Sequence, residues 1–93
     1  VPAFISTQVS VAVNTPVKIV DAEEFDRVVS VLDPVTGMRV AFTSADASTG
    51  FQVRNLGLVG TAMGTFVLPA DHEAWVYSSA ATTAEVFVTS IAR

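Results

Sequence analysis

The sequence predicts a small all-β domain, a single β-sandwich, jelly-roll-like fold or partly open barrel of about seven or eight short antiparallel strands. Three observations predict it. Apolar residues recur with the two-residue period of half-buried strands, and β-branched and aromatic residues fill short runs. Turn residues interrupt the chain roughly every ten residues, which leaves no stretch with the period of a long helix.

The strongest local signal lies at residues 65–92, TFVLPADHEAWVYSSAATTAEVFVTSIA. Residues 65–68, 73–79 and 84–91 are strand-like runs separated by Pro69-Ala70-Asp71 and by the small, polar residues 80–83. They read as a three-strand meander. Pro69 has no N–H to give a ladder and ends the first run, and Asp71 can bond its own backbone to start the return.

From the N-terminus, residues 1–7 show little periodicity and read as an arm or first edge segment, followed by one domain over residues 8–93. Residues 8–13 alternate cleanly, with Val9, Val11 and Val13 on one face and Gln8, Ser10 and Ala12 on the other. Asn14-Thr15-Pro16 turns the chain into a short strand at residues 17–20. The acidic residues 21–26 form a helical turn or irregular loop with Phe25 tucked beneath. Residues 27–32 and 38–43 are strands joined through Asp33-Pro34 and Thr36-Gly37, a hairpin-like pair in which Met38, Val40 and Phe42 face one way. A polar loop at residues 44–50 leads to a brief strand at 51–53. In LGLVGTAMG, residues 56–64, Gly57, Gly60 and Gly64 offer positive φ cheaply, and the segment reads as a loop with apolar contacts.

At 93 residues the chain is near the lower limit for a self-sufficient core. Area scaling gives about 14,000 Å² extended and about 5,200 Å² folded. Apolar burial then contributes on the order of 135 kcal/mol, against roughly 140 kcal/mol of conformational entropy. Small domains escape so even a balance through disulfides, metals or association. There is no cysteine and a single histidine, while hydrophobic residues make up 51% of the chain, so association is the expected route. The net charge of −4 and the scattered Lys18, Arg27, Arg39, Arg54 and Arg93 argue against nucleic acid as a partner. No apolar run is long enough for a membrane helix and the N-terminus lacks the pattern of a signal peptide, so a soluble protein without membrane contact is expected.

No constellation points to catalysis, a metal or a cofactor. His72 stands beside Asp71 and Glu73, but strand neighbours face opposite ways and no second His or Cys completes a zinc site; it reads as a solvated turn residue. Asp21, Glu23, Glu24 and Asp26 lack the glycine and spacing of a Ca²⁺ loop. No nucleophile-elbow motif occurs, and one histidine would have to serve any triad, so an enzyme is not expected. Trp75 and Tyr77 share one face of their run and Ala74 and Val76 the other; Phe87 and Ile91 lie opposite Val86 and Val88. Both faces are apolar, which makes Trp75, Tyr77, Phe87 and Ile91 candidates for the core or for a subunit interface.

Residues 27–91 resemble small β-sandwich structural proteins of tailed bacteriophages. The resemblance rests on RVVSVLDP, MRVAFT, the L-P turn at Leu68-Pro69 with the strand Glu73-Ala74-Trp75-Val76-Tyr77, and the closing AEVFVTSI. It implies a virion protein, a capsid decoration or cement protein bound outside the major capsid protein shell, which it stabilises, often as a homotrimer. Assembly would take place in the host cytoplasm. Val1, Pro2, Ala3, Phe4 and Ile5 are then candidate capsid contacts, an extended apolar segment able to add to a neighbour's sheet. The alternatives are a neck, tail or fibre component, or a carbohydrate-binding module with Trp75 and Tyr77 as the stacking platform.

Overall fold

The structure, a computed structural model, describes residues 4–57 and 61–90. Alternating β-branched and small residues build eight strands: β1 (Phe4–Val11), β2 (Val17–Val20), β3 (Arg27–Leu32), β4 (Arg39–Ala41), β5 (Phe51–Gln52), β6 (Met63–Leu68), β7 (Ala74–Tyr77) and β8 (Thr82–Ser90). Two single-turn 3-10 helices, Ala47–Thr49 and Val53–Asn55, flank β5. The strands form two four-stranded sheets, ordered β1-β8-β3-β6 and β2-β7-β4-β5, with every pairing antiparallel.

β1 pairs with β8, β2 with β7, β3 with β6 and β4 with β5. The chain is therefore one long antiparallel ribbon with its tip between β4 and β5. It wraps on itself so that β3–β8 and β4–β7 pairings complete the two sheets. This is the jelly-roll arrangement, within the predicted all-β class.

The core lies between the sheets. Val11, Val29, Val31, Leu68, Ala84 and Val86 face inward from the first sheet, and Val20, Val40, Ala74 and Val76 from the second, with Met38 and Val53 closing gaps. The accessible surface of 5218 Å² agrees with the area-scaling expectation.

Two pairings differ from the sequence reading. The three C-terminal runs are strands but not a meander: β6 and β8 lie in the first sheet and β7 in the second. A meander would leave its apolar face without a cover. Crossing between sheets sets Ala74 and Val76 against Leu68, Ala84 and Val86. Likewise β3 and β4 are not a hairpin but belong to opposite sheets. The buried Asp33 carboxylate organises that crossover by accepting the N–H groups of Val35, Gly37 and Met38 at 3.0–3.2 Å. Thr36 and Gly37 take positive φ values of 59° and 106° to turn the backbone around it.

The glycines after residue 55 also work differently from expectation. Gly57 and Gly64 do not have positive φ; they permit close backbone approach. A Cβ on Gly64 would lie 2.1 Å from the Val53 carbonyl oxygen, and one on Gly57 2.2 Å from that of Met63. Gly60 lies outside the described residues.

At the N-terminus, residues 1–3 lie outside the described residues. From Phe4 onward the segment is edge strand rather than free arm, with register from Phe4↔Thr89 to Val11↔Thr82. Residues 21–26 form an irregular loop without a helical turn. The buried Arg27 guanidinium secures it by donating to the carbonyls of Asp21, Phe25, Pro69 and His72, and so ties the β2–β3 and β6–β7 connections together.

Candidate interaction surface

An open apolar cleft of about 440 Å³ lies beside the ribbon tip, between the end of β4, β5 and the edge strand β6. Phe42, Phe51, Leu56 and Phe66 are the large apolar side chains that line it. Strand lengths account for the rings being there. β4 ends at Ala41, so Phe42 leaves the pleat instead of joining Met38 and Val40 in the core; it is 40% exposed. β5 has only two residues, so nothing further along the strand covers Phe51, which is 71% exposed.

The Phe42 ring centroid is 6.5 Å from that of Phe66 and 5.5 Å from that of His72, the latter pair edge-on. His72 is exposed, as expected of a turn residue, yet it packs on Phe42 and extends the aromatic surface. Gly50 also lines the cleft and packs closely on β4, since a Cβ there would lie 2.2 Å from the Val40 carbonyl oxygen. The polar side chains of the lining are Asp46, whose Oδ2 accepts the Thr43 hydroxyl at 2.9 Å, and Thr49; Arg39 Nη1 donates to the Gly50 carbonyl at 2.9 Å and holds that backbone in place. Val67, 56% exposed, alternates with Phe66 along β6 and so faces away from the cleft. Exposed apolar rings with polar side chains beside them are the usual composition of a protein-binding patch.

The outer face of the second sheet carries Trp75 and Tyr77, both half-buried, while Ala74 and Val76 point to the core. Their polar ends are engaged: Trp75 Nε1 donates to Glu73 Oε1 at 2.8 Å and the Tyr77 hydroxyl to Asn14 Oδ1 at 2.9 Å. Lys18 stands opposite Trp75 in the register. Its ammonium is 2.9 Å from Asp21, whose hydrogen bond and charge raise the Lys18 pKa above its ordinary value, with Glu73 at 3.9 Å adding to the effect.

The remaining candidates fall in several places. Phe87, half-buried, sits in β8 between Ser6 and Ser30 in the register. Val1, Pro2, Ala3 and Ile91 lie outside the described residues. The backbones of Phe4 and Ile5 belong to β1. Thus the structure groups Trp75 with Tyr77, and the cleft is built from Phe42, Phe51, Leu56 and Phe66, which sequence reasoning did not single out. The available signal was an aromatic residue on each side of the polar loop at residues 44–50.

Among the described residues no three His, Cys, Asp or Glu side chains are placed to hold a metal ion. No helix among them is long and apolar enough to cross a membrane.

No protein-family model matches the chain, and no curated protein does. Among solved structures, the fold is similar to that of a protein of Bacillus endospore appendages, described as a novel family of disulfide-linked pili. The two share 20% sequence identity at a TM-score of 0.59, over 96% of this chain and 83% of that one. At that identity the likeness is one of fold.

Proposed function

We propose that this domain is a non-catalytic structural subunit that works by binding other protein surfaces in a larger assembly. More finely, it is a phage virion protein that decorates and reinforces the outer face of the capsid. The observation that carries the reading is the cleft at Phe42, Phe51, Leu56 and Phe66. Its aromatic rings are left open by strands too short to cover them, and Asp46 and Thr49 add polar groups to its lining. The fold likeness to an appendage protein agrees with a structural role. These 93 residues contain no cysteine, so copies of them assemble without disulfide links to one another.

The test is immunogold labelling, with antibody raised against the domain, of particles and appendages purified from the producing cells. Label on capsid surfaces is expected. Label on tails, necks or fibres keeps the structural role and moves its location, while the absence of label from every assembled particle overturns the proposal.

A further inference from the structure

Four strands sit at sheet edges, and three of them are blunted. β5 has two residues. β2 has four, carries Lys18, and its register with β7 breaks between Lys18 and Val20. β6 is covered in part: the Leu56 carbonyl accepts the Thr65 N–H at 3.2 Å, and Val53 and Leu56 press against Gly64. Shortness, a lysine, a bulge and a covering segment each close a sheet edge to another strand. β1 has none of these. Its eight residues, FISTQVSV, carry no charge and no proline, and its register with β8 is unbroken. Among the described residues its outer edge makes no backbone hydrogen bond.

We propose that β1 is an interaction edge whose partner is β1 of a second copy of this chain. The two strands pair antiparallel about a two-fold axis and join two four-stranded sheets into one. A second copy offers the same four edges, of which, among the described residues, β1 alone is open, so pairing between copies by strand addition is self-pairing, isologous and closed.

The strand suits this symmetry. An axis through Gln8 sets Gln8 opposite Gln8, Ser6 opposite Ser10 and Thr7 opposite Val9, which keeps every side chain on its own face of the joined sheet. Ser6, Gln8 and Ser10 are exposed and uncharged, so their row brings no like charges together although each copy carries a net charge of −4. Val9, only partly buried in one copy, gains cover. The pairing holds whatever larger structure the domain serves, and it gives a dimer where the phage resemblance implies a trimer.

Sedimentation of the purified chain at high micromolar concentration tests it, with Gln8→Lys as the disrupting variant. Two lysines would face each other on the axis, whereas in one copy the introduced ammonium has Glu85 beside it, where Gln8 Nε2 now lies 3.5 Å from the carboxylate. Expected are a wild-type dimer and a Gln8→Lys monomer with an unchanged circular dichroism spectrum. In this cysteine-free chain, Gln8→Cys is expected to oxidise to a covalent dimer, because residues opposite each other in an antiparallel pair lie within disulfide reach; Gln52→Cys on β5 is not. If Gln8→Lys fails to fold, the cross-linking pattern decides. A wild-type monomer or trimer, a dimer that Gln8→Lys leaves intact, or no Gln8→Cys cross-link overturns the inference. A monomer that still labels particles removes this inference alone, and a dimer that labels none removes the proposed function alone.

Discussion

Arg54 grips Asp33 at two points: its Nε donates to the Asp33 carboxylate at 3.2 Å and its Nη2 to the Asp33 carbonyl at 2.9 Å. The carboxylate is almost wholly buried, while the arginine side chain is 36% exposed. One pair therefore joins the β3–β4 crossover to the 3-10 turn after β5, two segments 21 residues apart. Replacing Asp33 with Ala orphans three backbone N–H groups and a guanidinium, and is expected to cost on the order of 3–5 kcal/mol by urea denaturation. Arg54→Ala removes the exposed partner and leaves the turn's own bonds, so it should cost about 1 kcal/mol.

Arg27 performs the corresponding task at the other connections without a carboxylate among its named partners, by donating to four backbone carbonyls. Arg27→Lys keeps the charge but loses the planar fork. Hydrogen exchange should then quicken at Asp71, whose N–H bonds the Glu23 carbonyl at 2.7 Å, and at Ala70, whose N–H bonds Asp26 Oδ1 at 2.9 Å. Exchange in the centres of β3 and β8 should stay unchanged.

The two kinds of glycine separate by substitution. Gly37→Ala meets no atom within 4 Å but holds φ at 106°, and should cost about 1–2 kcal/mol from backbone conformation. Gly64→Ala meets the Val53 carbonyl and must displace backbone, with a loss of about 3 kcal/mol. Equal urea midpoints for the two variants would contradict this division.

These residues show what was legible in the sequence. The alternation in residues 38–43 sets Met38 and Val40 on one face, and both are buried, whereas Phe42 on the same face is exposed because β4 has ended. The turns at Asn14, Thr36-Gly37 and Asp71 were marked by residue type, and Asn14, Thr36 and Asp71 do adopt positive φ. Partner choice was not legible, because it depends on contacts distant in sequence. Asp33-Pro34 signals a turn, but only its bonds to Met38 and Arg54 make the turn a crossover between sheets. The cleft escaped for the same reason: Phe42 and Phe66 meet only once the ribbon has wrapped. Trp75 and Tyr77 shared a face as their spacing required, and the structure places that face outward.

Exposed rings should matter little to folding and much to binding. Phe51→Ser is expected to change stability by no more than about 0.5 kcal/mol, since the side chain is 71% exposed. Phe42→Ser also removes ring contacts with Phe66 and His72, and should cost about 1 kcal/mol more.

The most direct measurement is reattachment. Particles stripped of the protein are mixed with the purified domain, wild type or the Phe42→Ser/Phe51→Ser double variant, and bound protein is quantified after sedimentation. The account predicts that wild type returns to the particles and that the double variant, still folded by circular dichroism, binds at least about tenfold more weakly, as the loss of a central aromatic contact requires. Equal return of the two proteins, or failure of the wild type to return at all, would contradict it.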